Sequence, residues 1–263
     1  DLIRTGKDDF YVLEDNCRTP SGVSYMLENR EIMMKMFPDL FHSNRVLRVD
    51  DYPTRLLQTL MSLAPKKCES SVPTVVLLTP GHLNSAYYEH TFLSDQMGIE
   101  MVEAQDLFVE NDFLYMKTVD GPKKIDVVYR RIDDDYLDPL AYNPNSVIGV
   151  PGLTHVYKTG GVNICSAPGA GIADDKAVYI YVPEMIKFYL GETPILDNVK
   201  TWRCERDDDL KYVLENIDEL VIKEVDGSGG HGMLIGPKST KQEIEDFSSK
   251  LKLHPEGYIA QPT

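Results

Sequence analysis

The feature that most constrains this chain is a run of glycines between two short strand patterns. Residues 226–232 read DGSGGHG, and they lie between the segments 220–225 and 233–235. The glycine spacing matches the fingerprint G-x-G-x-x-G, but a dinucleotide site needs a helix immediately after the glycines. Here a second strand follows, so the sequence predicts a β-hairpin closed by a flexible glycine turn. A dinucleotide-dependent oxidoreductase is therefore disfavoured, because a hairpin has no helix N-terminus for the pyrophosphate.

The glycine turn and the strand before it predict a phosphate site. Glycines present backbone N–H groups without side-chain hindrance, as a lid over a polyphosphate requires. Lys223 lies on the incoming strand, where its ammonium would be a point charge for a phosphate. The alternative is an ordinary glycine hairpin with a surface lysine. His231 lies within the turn, although single histidines are usually structural.

A second candidate site lies near the start of the chain. A β-hairpin pattern around residues 6–9 places Glu14 and Asn16 at the end of its second strand, on one face because side chains alternate. A carboxylate and an amide oxygen suit Mg²⁺, which takes few protein ligands and prefers phosphate oxygens for the rest. Asp1, on the partner strand, is a candidate third ligand. The alternative is a strand end with an Asx-turn.

A third group of basic residues could meet an anionic substrate. Lys176 begins a predicted helix at about residues 177–190, and Arg130 and Arg131 end a predicted strand. Ordinary explanations remain open for each of them. Lys176 could be a plain helix-start residue, and the two arginines could pair on the surface with the acidic residues 133–135.

Charge and composition exclude several classes of protein. The 263 residues carry a formal net charge of −15, which opposes nucleic-acid binding because such proteins usually present a basic face. No apolar stretch reaches the length of a membrane helix, so the sequence predicts a soluble protein without a membrane partner. The four cysteines are scattered without a C-x-x-C pair, which favours a reducing cytoplasm over a disulfide framework.

The pattern along the chain predicts an α/β (α+β) protein. Helical and strand patterns alternate between residues 75 and 129, which is typical of a Rossmann-like layer, and a hairpin is predicted over residues 113–129. We divide the chain into three segments, residues 1–70, 71–165 and 166–263. Because it starts without methionine and stops on an apparent strand, we expect a piece of a longer polypeptide.

Residues 11–30, YVLEDNCRTPSGVSYMLENR, closely resemble the circularly permuted ATP-grasp family, whose members are similar to glutathionylspermidine synthase. Further motifs agree in order along essentially the whole chain. They lie at residues 128–131, 138–139, 171–177, 200–202, 222–223 and 258–261. The resemblance implies a circularly permuted ATP-grasp fold with a Rossmann-like pre-ATP-grasp layer. It further implies that segment 1–70 carries the metal-binding strand, that segment 71–165 is the Rossmann-like substrate side, and that segment 166–263 binds the nucleotide under the glycine lid. Permutation would explain why the acidic residues precede the lysines and the lid.

The resemblance also implies roles for particular residues. The implied cofactors are ATP and Mg²⁺, with Asp1, Glu14 and Asn16 as metal ligands. Residues implied to contact the nucleotide are Lys176, Lys223, Gly227, Ser228, Gly229 and Gly230, with Ile259, Ala260 and Gln261 lining the adenine hinge. Thr19 and Ser21 match a turn that faces the peptide substrate. Cys17 and Arg18 replace the Ala-Asp of that turn, which predicts a different substrate.

The implied activity is an ATP-dependent carboxylate–amine ligase that acts on a peptide or amino-acid-like substrate through an acylphosphate. Arg130 and Arg131 are then the predicted catalytic residues, because a planar guanidinium suits a carboxylate or an acylphosphate. The expected partners are small-molecule or peptide acids and amines. The alternative is a non-catalytic ATP-binding scaffold that organises other proteins.

Overall fold

The structure is a computed structural model, and it describes residues 1–227, 229–230 and 232–263. Contacts divide the chain into two compact units. One unit combines Asp1–Cys17 with Ala170–Thr263, and the other is the continuous segment Arg18–Gly169. The three segments inferred from the sequence, with the roles that the resemblance implies for them, stay a prediction.

The described strands are numbered along the chain, and each of them lies in one of the two units. They are β1 (Leu2–Arg4), β2 (Phe10–Val12), β3 (Val75–Leu78), β4 (Glu100–Val102), β5 (Leu107–Glu110), β6 (Phe113–Thr118), β7 (Gly121–Ile125), β8 (Val127–Arg130), β9 (Asn163–Cys165), β10 (Asp197–Asn198), β11 (Trp202–Arg203), β12 (Leu220–Glu224), β13 (Leu234–Ile235) and β14 (Tyr258–Pro262). Most are short, and they form four sheets of three or four strands within the described residues.

The described helices are likewise short. They are α1 (Val23–Met36), α2 (Pro38–Ser43), α3 (Tyr52–Ser62), α4 (Tyr87–Met97), α5 (Leu153–Lys158), α6 (Lys176–Tyr179), α7 (Val182–Leu190), α8 (Asp207–Glu215) and α9 (Lys241–Leu253). The single helix predicted at about residues 177–190 is wrong, because Pro183 lies in the first turn of α7. Proline lacks the N–H that would continue the earlier helix, so α6 and α7 are separate.

A four-stranded parallel sheet forms the centre of the unit Arg18–Gly169. Its strand order is β4-β3-β8-β9, and α4 makes the connection from β3 to β4 that a parallel pair requires. Alternate residues of β3 face two separate cores, with Val76 and Leu78 in one and Val75 and Leu77 in the other. Burial on both faces explains why this strand reads as a continuous apolar run.

Beside this sheet, β5, β6 and β7 form an antiparallel sheet. The hairpin predicted over residues 113–129 ends at Ile125, because Asp126 redirects the chain into the parallel sheet. The N–H of Asp126 donates to the Thr74 carbonyl at 3.0 Å, and its carboxylate accepts from the Thr74 N–H at 2.9 Å. These two bonds place β8 next to β3 rather than next to β7.

A buried carboxylate fixes the start of α1. Glu89 on α4 is 1% exposed, and its Oε2 accepts hydrogen bonds from the N–H of Gly22 and from both the N–H and the hydroxyl of Ser24. Its Oε1 lies 3.5 Å from the guanidinium of Arg131. The carboxylate therefore satisfies free amides at the helix start, where negative charge is favoured.

Two sheets build the unit of residues 1–17 and 170–263. The first has the order β1-β2-β10, with β10 parallel to β2. The second is antiparallel with the order β11-β14-β12-β13, so β14 lies between two strands. Ile222 and Ala260 face a core that also contains Val213 of α8 and Leu251 of α9. The opposite face of the same sheet is left for the polar residues of the candidate site.

Among the described residues, no helix is both long enough and apolar enough to cross a bilayer.

We predict that Glu89→Ala lowers the free energy of unfolding by about 3–5 kcal/mol, because it leaves a buried guanidinium and the amides of α1 without their carboxylate. Urea unfolding followed by circular dichroism measures this change. Glu100→Ala removes an exposed carboxylate from the same unit and should shift stability by about 0.5 kcal/mol or less. Equal effects of the two substitutions would contradict the buried-cap interpretation.

His90 supplies a second prediction. Burial lowers the pKa of its imidazole to about 4, Arg131 acts in the same direction, and Glu89 opposes them. The folded protein keeps His90 neutral, with its Nδ1 2.9 Å from the Thr79 hydroxyl, whereas the unfolded chain takes up a proton near its ordinary pKa of 6.5. Stability is therefore fully present above pH 6.5 and declines as the pH falls towards 4.

His90→Asn should remove this contribution, which amounts to about 3 kcal/mol between pH 6.5 and 4. The measurement is the difference between the stability–pH curves of the variant and the native protein. His82→Asn, at an exposed position of the same unit, is the control and should leave the curve unchanged. Parallel curves for native protein and His90→Asn would show that His90 does not titrate as inferred.

Candidate functional site

A polar cavity in the unit of residues 1–17 and 170–263 brings residues near the start of the chain together with residues from 176 to 233. Its volume is about 210 Å³. It is lined by Glu14, Asn16, Lys176, Lys223, Glu224, Gly227, Gly229, Gly230 and Met233. Most of the residues predicted to hold a metal or phosphates therefore share one cavity, although about 160 to 210 positions separate the first group from the others.

Lys223 projects into this cavity from β12. Burial lowers the pKa of its ammonium below the ordinary value; Glu14 raises that pKa in part, and Lys176 lowers it. Its Nζ donates to the Oε1 of Gln261 at 2.9 Å. Lys223 is thus a partly desolvated cation whose hydrogen-bond partner is a neutral amide, and an incoming anion would stabilise its charge.

Lys176 occupies the first position of α6. The preceding residue, Asp175, caps the helix by accepting from the N–H groups of Ala177 and Val178. The Lys176 Nζ donates to the Gly227 carbonyl at 2.6 Å and lies 3.9 Å from the Glu14 carboxylate. This ammonium therefore connects the glycine turn with the loop that carries Glu14.

Three described glycines of the turn adopt a backbone conformation that other residues rarely adopt. Gly229, Gly230 and Gly232 have φ angles of 65°, 78° and 69°, in the left-handed region. A Cβ at Gly232 would also come within 2.2 Å of the Glu224 carboxyl carbon. Ser228, predicted to contact the nucleotide, and His231 lie outside the described residues. Gly227, Gly229 and Gly230 line the cavity together with Lys176 and Lys223.

Glu14 and Asn16 lie in a loop rather than on a strand. The predicted strand position is wrong, because β2 ends at Val12. The loop is anchored through backbone atoms: Tyr179 donates to the Val12 carbonyl at 2.5 Å, and the Cys17 N–H donates to Asp174 at 2.5 Å. The two side chains nevertheless reach the same cavity.

The side-chain oxygens of Glu14 and Asn16 at the cavity are of the kind that Mg²⁺ prefers. A carboxylate and an amide oxygen are hard ligands, and this ion commonly takes one or two protein groups and completes its shell with phosphate and water. The described residues contain no cluster of three or more His, Cys, Asp or Glu side chains that could hold a metal alone. Asp1 is exposed and does not line the cavity, while its carbonyl accepts from the Leu13 N–H at 2.8 Å. Its role as a ligand stays a prediction.

The predicted adenine-hinge residues lie on β14. Ala260 belongs to the apolar core, and Ile259 is fully buried between Arg203 of β11 and Lys223 of β12. Gln261 is 3% exposed and uses its side-chain amide on protein partners. The structure does not bring Ile259, Ala260 or Gln261 to the cavity lining, and an adenine contact stays a prediction.

The two predicted catalytic arginines belong to the other unit, Arg18–Gly169, and both are buried. Arg130 donates to the carbonyls of Ile132, Ser166 and Ala167, and forms an ion pair with Asp134 at 2.8 Å. All three of its nitrogens are therefore engaged in holding the backbone. Surface pairing with the acidic run is incomplete as a description, because the Arg130 side chain is fully buried.

Arg131 instead holds the predicted substrate turn. It donates to the Pro20 carbonyl at 2.6 Å and to the Ser21 hydroxyl. Ser21 in turn donates to the Thr19 carbonyl at 3.3 Å. The Nε of Arg131 is buried without a hydrogen-bond partner among the described residues. The sequence predicted both the arginine and the turn, but it gave no signal that one positions the other.

Sequence reasoning missed Glu224, Met233 and Tyr179. The first two line the cavity, and Tyr179 anchors the loop that carries Glu14. Burial raises the pKa of the Tyr179 hydroxyl to about 12, so it remains a hydrogen-bond donor at neutral pH. A signal existed for Glu224, since it follows Lys223 directly, but the partners of Tyr179 are distant in sequence.

Comparison with known proteins gives a consistent result. The family model described as circularly permuted ATP-grasp type 2 matches residues 1–263. An uncharacterized protein of Synechocystis is 51% identical over 262 residues, which cover 100% of this chain and 54% of that protein. An uncharacterized protein of Mycobacterium tuberculosis is also 51% identical, with 47% of its length covered. The chain thus spans about half the length of these relatives.

Two further comparisons concern proteins with functional names. A Frankia alni protein with the provisional name glutamate–cysteine ligase is 39% identical over 261 residues, which cover 99% of this chain and 30% of that protein. A glutathione synthetase-like effector from Globodera pallida, solved in its apo form, matches with a TM-score of 0.58 and 13% identity. That match covers 97% of this chain and 55% of the effector, and it concerns the fold alone. The chain belongs to the circularly permuted ATP-grasp type 2 family.

Proposed function

We propose that this chain is part of an ATP-dependent carboxylate–amine ligase that forms an amide bond through an acylphosphate. The observation that carries the proposal is the cavity where Glu14 and Asn16 meet Lys176, Lys223 and the glycine turn. The provisional ligase names of the Frankia relatives support it. We propose an amino-acid-like or peptide acid and an amine as substrates, in the cytoplasm.

The proposed reaction has two steps. The substrate carboxylate attacks the γ-phosphorus of ATP, and the bond from that phosphorus to the β–γ bridging oxygen breaks. The products of this step are ADP and an acylphosphate. The amine then attacks the acyl carbon, loses a proton and displaces inorganic phosphate. Little bond chemistry is required of side chains, so positioning and electrostatic stabilisation supply most of the acceleration.

Each group at the cavity has a proposed part in this reaction. Lys176 and Lys223 hold phosphate oxygens and neutralise their charge, and Gly227, Gly229 and Gly230 offer backbone N–H groups. Glu14 and Asn16 are the proposed Mg²⁺ ligands. Bound Mg²⁺ would supply further charge neutralisation between the phosphates.

In the unit Arg18–Gly169, the proposal assigns substrate contact to Thr19 and Ser21. Arg131 keeps the Ser21 hydroxyl in place, and Arg130 keeps residues 166–167 against its strand. Direct contact of either guanidinium with the substrate stays a prediction. We further propose that the parallel sheet of this unit is the Rossmann-like pre-ATP-grasp layer of the family fold.

We predict that Lys223→Met weakens binding of the non-hydrolysable analogue AMP-PNP with Mg²⁺ by about 10- to 100-fold. The reason is the loss of a charged hydrogen bond of about 1.5–3 kcal/mol. Isothermal titration calorimetry on the full-length protein measures the affinity. Lys211→Met, at an exposed position of the same unit, is the matched control and should bind like the native protein.

The lowered pKa of Lys223 adds a pH signature. The native protein should lose affinity as the pH rises, starting at a lower pH than for an ordinary lysine, because only the protonated form pairs with phosphate. Lys223→Arg keeps its charge at those pH values and should flatten the curve. An unchanged curve in that variant would remove Lys223 from the phosphate site.

For the ligase activity, we predict release of ADP and phosphate when full-length protein, ATP and Mg²⁺ meet a suitable acid and amine. A panel of amino acids and short peptides, with L-glutamate and L-cysteine first, tests this by coupled ADP detection and mass spectrometry of the amide. Glu14→Gln should abolish Mg²⁺-dependent turnover. Nucleotide binding without turnover over the whole panel would favour the scaffold, and absence of nucleotide binding would contradict both functions.

A further inference from the structure

The side chain of Gln261 connects Lys223 with the loop that carries Glu14 and Asn16. Its Oε1 accepts from the Lys223 Nζ at 2.9 Å, and its Nε2 donates to the Leu13 carbonyl at 3.2 Å. The same Nε2 donates to the Thr201 hydroxyl at 3.0 Å. Leu13 directly precedes Glu14, so one amide touches both the cation and the backbone that carries the proposed metal ligand.

Every polar group of the Gln261 side chain has a protein partner. A glutamine side chain has two N–H donors and one carbonyl oxygen, and all three groups have protein partners here. Its orientation is also fixed, because a flipped amide would point N–H groups at the ammonium of Lys223 and an oxygen at the Leu13 carbonyl. With 3% exposure, any partner lost would leave a buried polar group unsatisfied.

The position of Gln261 in the sheet explains how it reaches both groups. It lies opposite Val221 on β12, on the sheet face that also carries Lys223, and its neighbour Ala260 faces the core. The strands on both sides of β14 hold its backbone. A rigid central strand therefore presents the amide, which makes it a fixed spacer rather than a mobile contact.

We propose that Gln261 is a positioning residue that holds the loop of Glu14 and Asn16 at a set distance from Lys223, so that Mg²⁺ and the phosphates are bound together. This inference rests on the proposed function and deepens it. It differs from an adenine-hinge role, in which the side chain or backbone of Gln261 would contact the base. Partners behind a metal ligand commonly set metal affinity, at about 10- to 100-fold per residue.

The test compares two probes, AMP-PNP and inorganic tripolyphosphate, each titrated into full-length protein at a series of Mg²⁺ concentrations. Gln261→Met keeps the volume of the side chain but removes all three hydrogen bonds. We expect the Mg²⁺ concentration at half-maximal binding to rise about tenfold for both probes, with affinity at saturating Mg²⁺ changed by about threefold or less. Tripolyphosphate has no base, so a shift with this probe excludes an adenine contact as the cause.

Two variants control for simple loss of structure. Thr201→Val removes the third partner but leaves the link between Leu13 and Lys223, and Gln242→Met makes the same chemical change at an exposed position of α9. Both should keep the native Mg²⁺ requirement. If Thr201→Val shifts it as much as Gln261→Met does, general loosening explains the effect and the proposal fails.

Other outcomes are equally decisive. A loss of AMP-PNP affinity at every Mg²⁺ concentration, with tripolyphosphate unaffected, would assign Gln261 to the adenine hinge instead. Unchanged Mg²⁺ dependence in Gln261→Met would overturn the positioning role while leaving the ligase proposal intact. Native protein that binds neither probe would overturn both. Should Gln261→Met fail to fold, a crystal structure of native protein with AMP-PNP and Mg²⁺ decides by whether the amide still spans Leu13 and Lys223.

Discussion

The candidate site depends on holding an ammonium group in a partly buried place against a neutral amide. Water would solvate the Lys223 charge better than Gln261 does, and the lowered pKa of this lysine records that cost. A carboxylate directly bonded to Lys223 would have stabilised the charge but would also have competed with phosphate. The structure instead places the nearest ion pair on Lys176, 3.9 Å from Glu14, which leaves Lys223 available for an anion.

The other features of the cavity follow from the same constraint. Tyr179, Gln261 and Asp174 anchor the backbone of Val12, Leu13 and Cys17, and this anchoring keeps Glu14 beside the cavity that Lys176 and Lys223 also line. The glycine turn then approaches the lysines closely, and Lys176 holds it through the Gly227 carbonyl. Backbone N–H groups can add hydrogen-bond donors at an anion site without adding further charged side chains.

The sequence predicted the features of the site that depend on neighbouring residues. It did not predict the features that depend on contacts between residues far apart in the sequence. The glycine hairpin and Lys223 could be predicted because strand, turn and strand adjoin in the chain. The end of β2 could not, because its pairing depends on β10, which lies about 185 residues away. Pairing of β14 on both edges was equally hidden, and so were the carbonyl partners that bury Arg130. In the fold, the buried strand β3 could be predicted from its continuous apolar run. The end of the hairpin at Ile125 could not, because it depends on hydrogen bonds between Asp126 and Thr74, which are 52 residues apart.

Remaining hydrogen-bond capacity separates residues that hold the scaffold from residues that can meet a ligand. Arg130 and Gln261 belong to motifs of the family, yet every polar group of their side chains has a protein partner. Among the described residues, Lys223 donates one hydrogen bond although an ammonium has three donors. A side chain such as Gln261, whose polar groups all have protein partners, contributes by positioning those partners, so its substitution should change the geometry and the metal dependence of ligand binding. A side chain such as Lys223, which has N–H donors without protein partners among the described residues, can contact the ligand itself, so its substitution should weaken ligand binding directly.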